Sequence, residues 1–332
     1  MSIFRKSIVG MEIDSTEIRV VNLQGASDKP MLVTCGRMPL QKGVVKDGRV
    51  QNPKLLYKAI LQLWEKNNIK CRNVILGLNN QDITVRFAVF PKVPEDRIDS
   101  LIRFQSEDYI PIPLEEIELD YAILGEDSTV QPALFRVLLV AARKEMLFDY
   151  ISVLQEAKLN VIDIGASMLS LEAIIPNTLK NVPLAIINLS NDAGSIVIND
   201  GKEPGFARIF SYNTVIHEII KEHLDNKSSS EYKMEENKVE ALCEYIAEEI
   251  RSSVLYYQNQ QPDVNLNSFA ITGGISCIIG LAKKLTDKLE ADVSMFGYLD
   301  DINLNYSQND RSQPYGPDFA VCTSLALRGL EE

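Results

Sequence analysis

GMEIDSTEIRVVNL, residues 10–23, reads as two apolar strand-like runs around a polar tip. Ile8-Val9-Gly10-Met11 and Ile18-Arg19-Val20-Val21 supply the strands. Glu12-Ile13-Asp14-Ser15-Thr16 supplies the tip, where backbone N–H groups converge on the place of an anion. Glu12 and Asp14 set two negative charges beside that place. A second stretch of the same kind, PLAIINLSNDAGSIVINDG at 183–201, opens the other half of the chain. One such hairpin at the head of each half points to an internally duplicated α/β chain with a cleft between two lobes, where ligands tend to sit.

The segments between the hairpins fill in the layers. In NPKLLYKAILQLWEKNNI (52–69), Leu55, Leu56, Ala59, Ile60 and Leu63 recur at helical spacing, and Pro53 suits a first turn. The buried-type strand NVILGLN (73–79) follows. From 82 to 165 the pattern changes to strand ITVRFAVFP, helix EDRIDSLIRFQSEDY, strands IELDYAIL and LFRVLLVAA, helix KEMLFDYISVLQEA, then NVIDIG. That β-α-β-β-α-β order suits a compact inserted subdomain. In the second half, TVIHEIIKEHL (214–224) reads as a helix, and residues 225–238 as a polar loop or a much-reduced subdomain. A long helix then presents Leu242, Ile246, Ile250, Val254 and Tyr257 on one face. The strand SFAITGG turns through Gly273-Gly274 into GLAKKLTDKL, and a loop rich in Asn, Asp and Pro (300–318) precedes the closing helix FAVCTSLALRGL.

Composition excludes several classes of function. The 332 residues, 45% hydrophobic and 24% charged, are those of an ordinary globular chain long enough for two cores. A formal charge of −12 argues against a nucleic-acid surface, which needs clustered Lys and Arg. Cys35, Cys71, Cys243, Cys277 and Cys322 form no C-x-x-C pair, and His217 and His223, six apart, fall on different faces of a helix, so no metal-ligand set is read. The N-terminus lacks the apolar core of a signal peptide, and no apolar run approaches bilayer length. A cytoplasmic protein is expected.

The segments RFQSEDYIPIPLEEIELDY (103–121), VLLVAARKEMLFDYISVLQEAKLNV (137–161) and the terminal LALRGL resemble, in family order from Gly10 to Leu330, the PilM family of type IV pilus assembly proteins. That family lies within the actin-like ATPase superfamily and is related to FtsA. The resemblance implies a two-lobed actin-like α/β fold, the duplicated ribonuclease H-like architecture, with an inserted β-α-β-β-α-β subdomain. It divides the chain into a first subdomain (1–81), the inserted one (82–160), a return to the first (161–183), a second lobe with a reduced outer part (184–318) and a C-terminal helix packed on the first lobe (319–332). It also implies a cleft for ATP with Mg, and here the residues depart from the pattern. The first hairpin usually reads Gly-Ile-Asp-Ile-Gly-Ser-Ser; Glu12 stands where Asp is usual and Asp14 where Gly is usual, while Ser15, Thr16 and Arg19 keep the expected type. A carboxylate at Asp14 about 4 Å from a phosphate repels it by roughly 4 kcal/mol at an effective dielectric of about 20. The second hairpin's Asp-Ile-Gly-Ala-Ser corresponds to Asn188-Leu189-Ser190-Asn191-Asp192, which loses an Asp to Asn and a Gly to Ser. ITGGISCIIGL (271–281) resembles the adenosine motif through Gly273, Gly274 and Ile275, and Glu249 and Ser252 on the long helix border the family's adenosine pocket. A tight strand-to-helix turn accounts for Gly273-Gly274 equally well. The expectation is a nucleotide site kept in outline but degenerate, with weak or absent ATP and no catalytic residue.

Function then lies in binding. The resemblance implies a cytoplasmic adaptor that captures the N-terminal cytoplasmic tail of the membrane protein PilN and links it to the pilus motor and platform. Such a protein sits at the inner face of the cytoplasmic membrane only through its partner, with self-association open. Arg103, Phe104, Glu107, Tyr109, Ile110 and Pro111 are the partner candidates. Packing alone would make Phe104 core on its helix, Tyr109 and Ile110 its cap, and Pro111 and Pro113 a rigid turn. An active actin-like ATPase or an FtsA-like filament former are the alternatives. The first needs the phosphate loops that are altered here, and the second an amphipathic tether that LALRGLEE does not supply.

Overall fold

The computed structural model describes residues 6–127, 133–226, 234–297 and 315–331. Of the expected polar segment at 225–238, residues 227–233 lie outside these, and its described ends are helical up to Asn226 and from Glu236, not loop; of the loop at 300–318, residues 300–314 lie outside.

The chain opens with β1 (Ser7–Ile13), β2 (Glu17–Gln24) and β3 (Met31–Pro39), then the small β4 (Val45–Lys46) and β5 (Arg49–Val50). Helix α1 (Pro53–Lys66) starts where Asn52 accepts a hydrogen bond from the Leu55 amide and Pro53 fills the first turn. There follow β6 (Asn73–Leu78), β7 (Ile83–Pro91), α2 (Glu95–Gln105), β8 (Ile117–Asp127), β9 (Leu134–Arg143), α3 (Lys144–Glu156), β10 (Asn160–Ala166) and the one-turn α4 (Ser167–Ser170). The second half holds β11 (Leu184–Leu189), β12 (Ala193–Asn199), β13 (Pro204–Ser211), α5 (Thr214–Asn226), α6 (Glu236–Gln260), β14 (Ser268–Thr272), α7 (Leu281–Leu289), β15 (Asp292–Met295) and α8 (Ala320–Glu331).

The two main sheets are copies of one plan. The first runs β10-β6-β1-β2-β3 and the second β15-β14-β11-β12-β13. In each, the opening hairpin is antiparallel (β1 with β2, β11 with β12) and its first strand lies parallel to the next inner one (β6, β14). These strands are near-continuous apolar runs because both faces are covered. Val9, Met11 and Ile13 of β1 pack with α1 and α3, whereas Ile8 faces α8. Helix α8 is buried on almost every side, between Ile8, Val21 and Ile75 of one sheet and Leu184, Ile186 and Ala270 of the other. A helix apolar all round belongs between layers. Its approach to β1 requires Gly10, where a Cβ would stand 1.8 Å from the Cys322 carbonyl oxygen.

The inserted segment keeps the element order read from the sequence, but its strands divide between two sheets. β7, β9 and β8 form a three-stranded antiparallel sheet covered on one face by α2. β10 instead lies parallel to β6, and α3 packs against the first-lobe core through Met146, Tyr150, Val153 and Leu154. Helix α2 stops at Gln105 rather than Tyr109: the chain tightens into a 3₁₀ turn over Ser106–Asp108, where the Tyr109 amide bonds back to the Ser106 carbonyl, and Pro111 disfavours a helical Ile110. No helix among the described residues is long and apolar enough to cross a membrane.

The close approach of α8 gives a first test. Gly10→Ala is expected to lower unfolding free energy by about 3 kcal/mol, measured in urea, because the clash is with backbone and not a flexible side-chain end. A loss under about 0.5 kcal/mol would mean that α8 does not seat on β1 as described.

Candidate functional site at the hairpin tips

The first hairpin is organised around one buried guanidinium. Arg19 is 1% exposed and stands directly across the strand pair from Glu12. It ion-pairs with Glu12 at 2.8 Å, Asp14 at 2.9 Å and Glu17 at 2.9 Å. Burial works against the Arg19 charge, but the three carboxylates outweigh it and raise its pKa well above the usual range. For Glu12 burial is the larger effect, and its carboxyl is raised despite the Arg19 contact.

Asp14 closes the turn from inside. Its Oδ1 accepts from the Thr16 amide (2.8 Å), the Thr16 hydroxyl (2.6 Å) and the Glu17 amide (2.9 Å), an Asx turn, while Oδ2 accepts from Arg19 and from Asn191 Nδ2 (2.9 Å). The carboxylate placed where glycine is usual is therefore fully engaged within the protein. The strand continues through Ile13, so the tip is shorter than the sequence reading made it.

The second tip, Ser190 to Asp192, meets the first directly. Asp192 Oδ2 accepts from the Ser15 amide at 2.8 Å, and Oδ1 accepts from the Ser15 hydroxyl. Asn191 Nδ2 also donates to the Thr16 hydroxyl at 2.9 Å. Asn79, just after β6, donates to Ser190 Oγ at 2.7 Å and to the Ala193 carbonyl at 3.0 Å. Burial, then the neighbouring Asp14, push the Asp192 carboxyl up to about 7, against the two Ser15 bonds.

The glycine turn adjoins this cluster. Gly273 has φ +91°, and a Cβ on it would lie 2.5 Å from the Leu189 carbonyl oxygen and 2.6 Å from Asn188 Oδ1. Asn188 is 1% exposed with neither amide atom hydrogen-bonded, and Gly274 lies against Asn191. The turn thus packs closely on the second hairpin. Three of the expected nucleotide residues point elsewhere. Glu249 is held by Arg208 of β13, Ser252 is exposed on α6, and Ile275 is in the second-lobe core.

These residues do not fit a magnesium nucleotide as arranged. The space between the tips, lined by Glu12, Asp14, Asn79, Tyr150, Ser190 and Asp192, is about 10 Å³, room for about one water. The Ser15 donors that would face an anion already hold Asp192, and the surrounding charge is dominated by carboxylates. No cluster of three or more potential metal ligands occurs among the described residues.

The sequence reading missed Asn79, Arg37 and Asp318. Asn79 had a signal, since it ends a buried strand of a parallel pair, where such sites form. Arg37 ion-pairs with Glu17 at 3.5 Å and with Asp318, and lies 4.9 Å over the Phe319 ring. Only the register of β2 with β3 places it there.

Of the partner candidates, Phe104 corrects the packing expectation: it is 80% exposed, because the inward stripe of α2 is Ile98, Leu101, Ile102 and Gln105. Arg103 bonds Asp99 along the helix, and Glu107 and Pro111 are exposed. Ile110 is core, and Tyr109 rests on Phe90 with ring centroids 5.5 Å apart while donating to the Val89 carbonyl.

The duplicated sheets, the facing hairpin tips and the inserted subdomain define a two-lobed actin-like α/β protein. The sequence model of the family described as type IV pilus assembly protein PilM matches residues 10–330, and the chain belongs to that family. It is similar in structure to a chain of a PilM-PilN type IV pilus biogenesis complex, with a TM-score of 0.83 and 24% identity over 98% of this chain and 99% of that one. Two more distant likenesses share the fold. Ethanolamine utilization protein EutJ from Carboxydothermus hydrogenoformans has a TM-score of 0.52 and 10% identity over 97% of this chain and 89% of that one. A diol dehydratase-reactivating factor in nucleotide-free form has a TM-score of 0.52 and 9% identity over 98% of this chain and 100% of that one.

Two tests follow from the electrostatics. Arg19→Met leaves buried carboxylates without their counter-charge and is expected to cost about 3–5 kcal/mol in urea unfolding, partly recovered by adding Glu12→Gln. A loss below about 1 kcal/mol would refute the role given to Arg19. Asp192, raised from an ordinary 3.8 to about 7, binds its proton more readily in the folded state. Its contribution to stability is complete below about pH 4 and is lost as pH rises through about 7. Asp192→Asn is therefore expected to flatten the decline in urea midpoint between those values, and equal slopes in the two proteins would refute the assignment.

Proposed function

We propose that this chain is a cytoplasmic adaptor of type IV pilus assembly, binding the N-terminal cytoplasmic tail of a PilN-like membrane protein and linking it to the pilus motor. It stands at the inner face of the cytoplasmic membrane through that partner. The observation that carries the reading is the family match over residues 10–330. The likeness to a chain of a PilM-PilN complex, end to end in both chains, supports the choice of partner.

The nucleotide cleft takes no part in chemistry. With the tips bonded to each other and about 10 Å³ between them, ATP is not turned over, and binding a tail is the activity left to the molecule. The inserted subdomain is the proposed contact region. Phe104 supplies an exposed aromatic anchor of the kind that dominates interface energies, Arg103 and Glu107 flank it, and buried Ile110 with Tyr109 holds the following segment in place.

Isothermal titration with a synthetic peptide of the partner's tail, and separately with Mg-ATP, tests this. Micromolar peptide binding with no heat from Mg-ATP is expected, and Phe104→Ala should weaken the peptide about tenfold or more while leaving the urea midpoint unchanged. Tight ATP binding with turnover, or no peptide binding by the folded protein, would overturn the reading.

A further inference from the structure

We propose that Asp192 is a built-in ligand of the first hairpin, latching the two lobes together across the cleft without a nucleotide. The inference rests on the bonded tips leaving no room for a nucleotide and not on the identity of the partner, so a failed peptide titration leaves it standing.

A hairpin tip offers an anion its backbone N–H and hydroxyl donors. Here both donors of Ser15 are taken by the carboxylate of Asp192, reaching across from the opposite lobe. Bonds from a backbone N–H and a hydroxyl to one carboxylate favour its charged form, and here they offset part of what burial and the neighbouring Asp14 cost it. The connection also runs the other way: Asn191 of the second tip donates to Asp14 and Thr16 of the first. Each tip is at once donor and acceptor, so an incoming phosphate would have to break bonds in both directions. Asn79 adds a third tie, from the end of β6 to Ser190 and the Ala193 carbonyl.

The anchors of the latch are themselves fixed. Asp14 is held by Arg19 and by its own turn, and the Ser190 carbonyl accepts from the buried Tyr212 hydroxyl at 3.0 Å. Away from the tips the lobes meet again where β7 of the inserted sheet lies along β13, with Phe87 beside Ala207 and Ile209 in one core and Arg136 paired with Glu203. The latch therefore governs the mouth of the cleft, and the inserted sheet bridges its flank.

Hydrogen–deuterium exchange on the full chain tests the latch at the tips. In the wild type, the Ser15 amide should exchange slowly, and millimolar Mg-ATP should leave it unchanged. Asp192→Gly removes the carboxylate and leaves its space, so exchange at Ser15 should rise about tenfold, and added acetate should restore the protection that the side chain gave. Ser15→Ala, which keeps the amide but removes the hydroxyl bond, should loosen residues 190–193 and serves as the readout should the glycine variant not fold. Unchanged exchange in the variants overturns the proposal. So does faster exchange in Asp192→Gly that acetate does not reverse, which would make Asp192 a packing residue only. Added protection of Ser15 by Mg-ATP in the wild type overturns it as well.

Discussion

A guanidinium buried to 1% exposure sets the terms for the whole cleft. Charge cannot be left unpaired at that depth, so Arg19 must draw carboxylates in, and it draws Glu12, Asp14 and Glu17. Once Asp14 points inward, its other oxygen is free to close the Thr16 turn, and its remaining capacity is met by Asn191 from the opposite lobe. Glu17, shared with Arg37, carries the network on to Asp318 at the head of the last helix. The Cys322 thiol, donating to the Arg19 carbonyl, ties that helix to the same residue. Asp14 is thus a residue that binds its own hairpin together.

Duplication explains why the arrangement is possible. Both sheets place an antiparallel hairpin at one edge of a parallel pair, so both present a tip at the same level and toward the same gap. In that geometry the donors of one tip and the acceptors of the other are within reach, and only side-chain identity decides whether the gap holds something or closes. Ser15 with Asp192, and Asp14 with Asn191, are complementary pairs.

The sheet plan was legible because hairpin, helix and strand periodicities repeat in both halves, and the inserted elements were found in their order. What the sequence did not show was pairing at a distance. NVIDIG follows a helix of the inserted segment and reads as its last strand, yet β10 joins β6, a choice made by the edge left open in the first sheet. Phe104 reads as core by composition, but the phase of α2 turns it outward. At the site, the altered residues Glu12, Asp14 and Asn188 were visible as departures from a pattern, whereas the direction of the Asp14 carboxylate depended on Arg19, seven positions on and directly across the hairpin. Arg37 and Asp318 carry no local signal at all, since their pairing joins β3 to a segment 281 positions away.

The seating of α8 also dictates an order of events during synthesis. The Cys322 thiol meets the Arg19 carbonyl across 303 positions, and the face of β1 and β2 beneath it is apolar. At about 5–20 residues per second a ribosome needs on the order of tens of seconds to make the intervening chain. Throughout that interval the part of the first sheet that α8 covers stays open, with only Leu171, Ile174 and Ile175 of the first lobe's other buried residues in the same cluster. The first lobe is therefore completed only when α8 arrives to cover it.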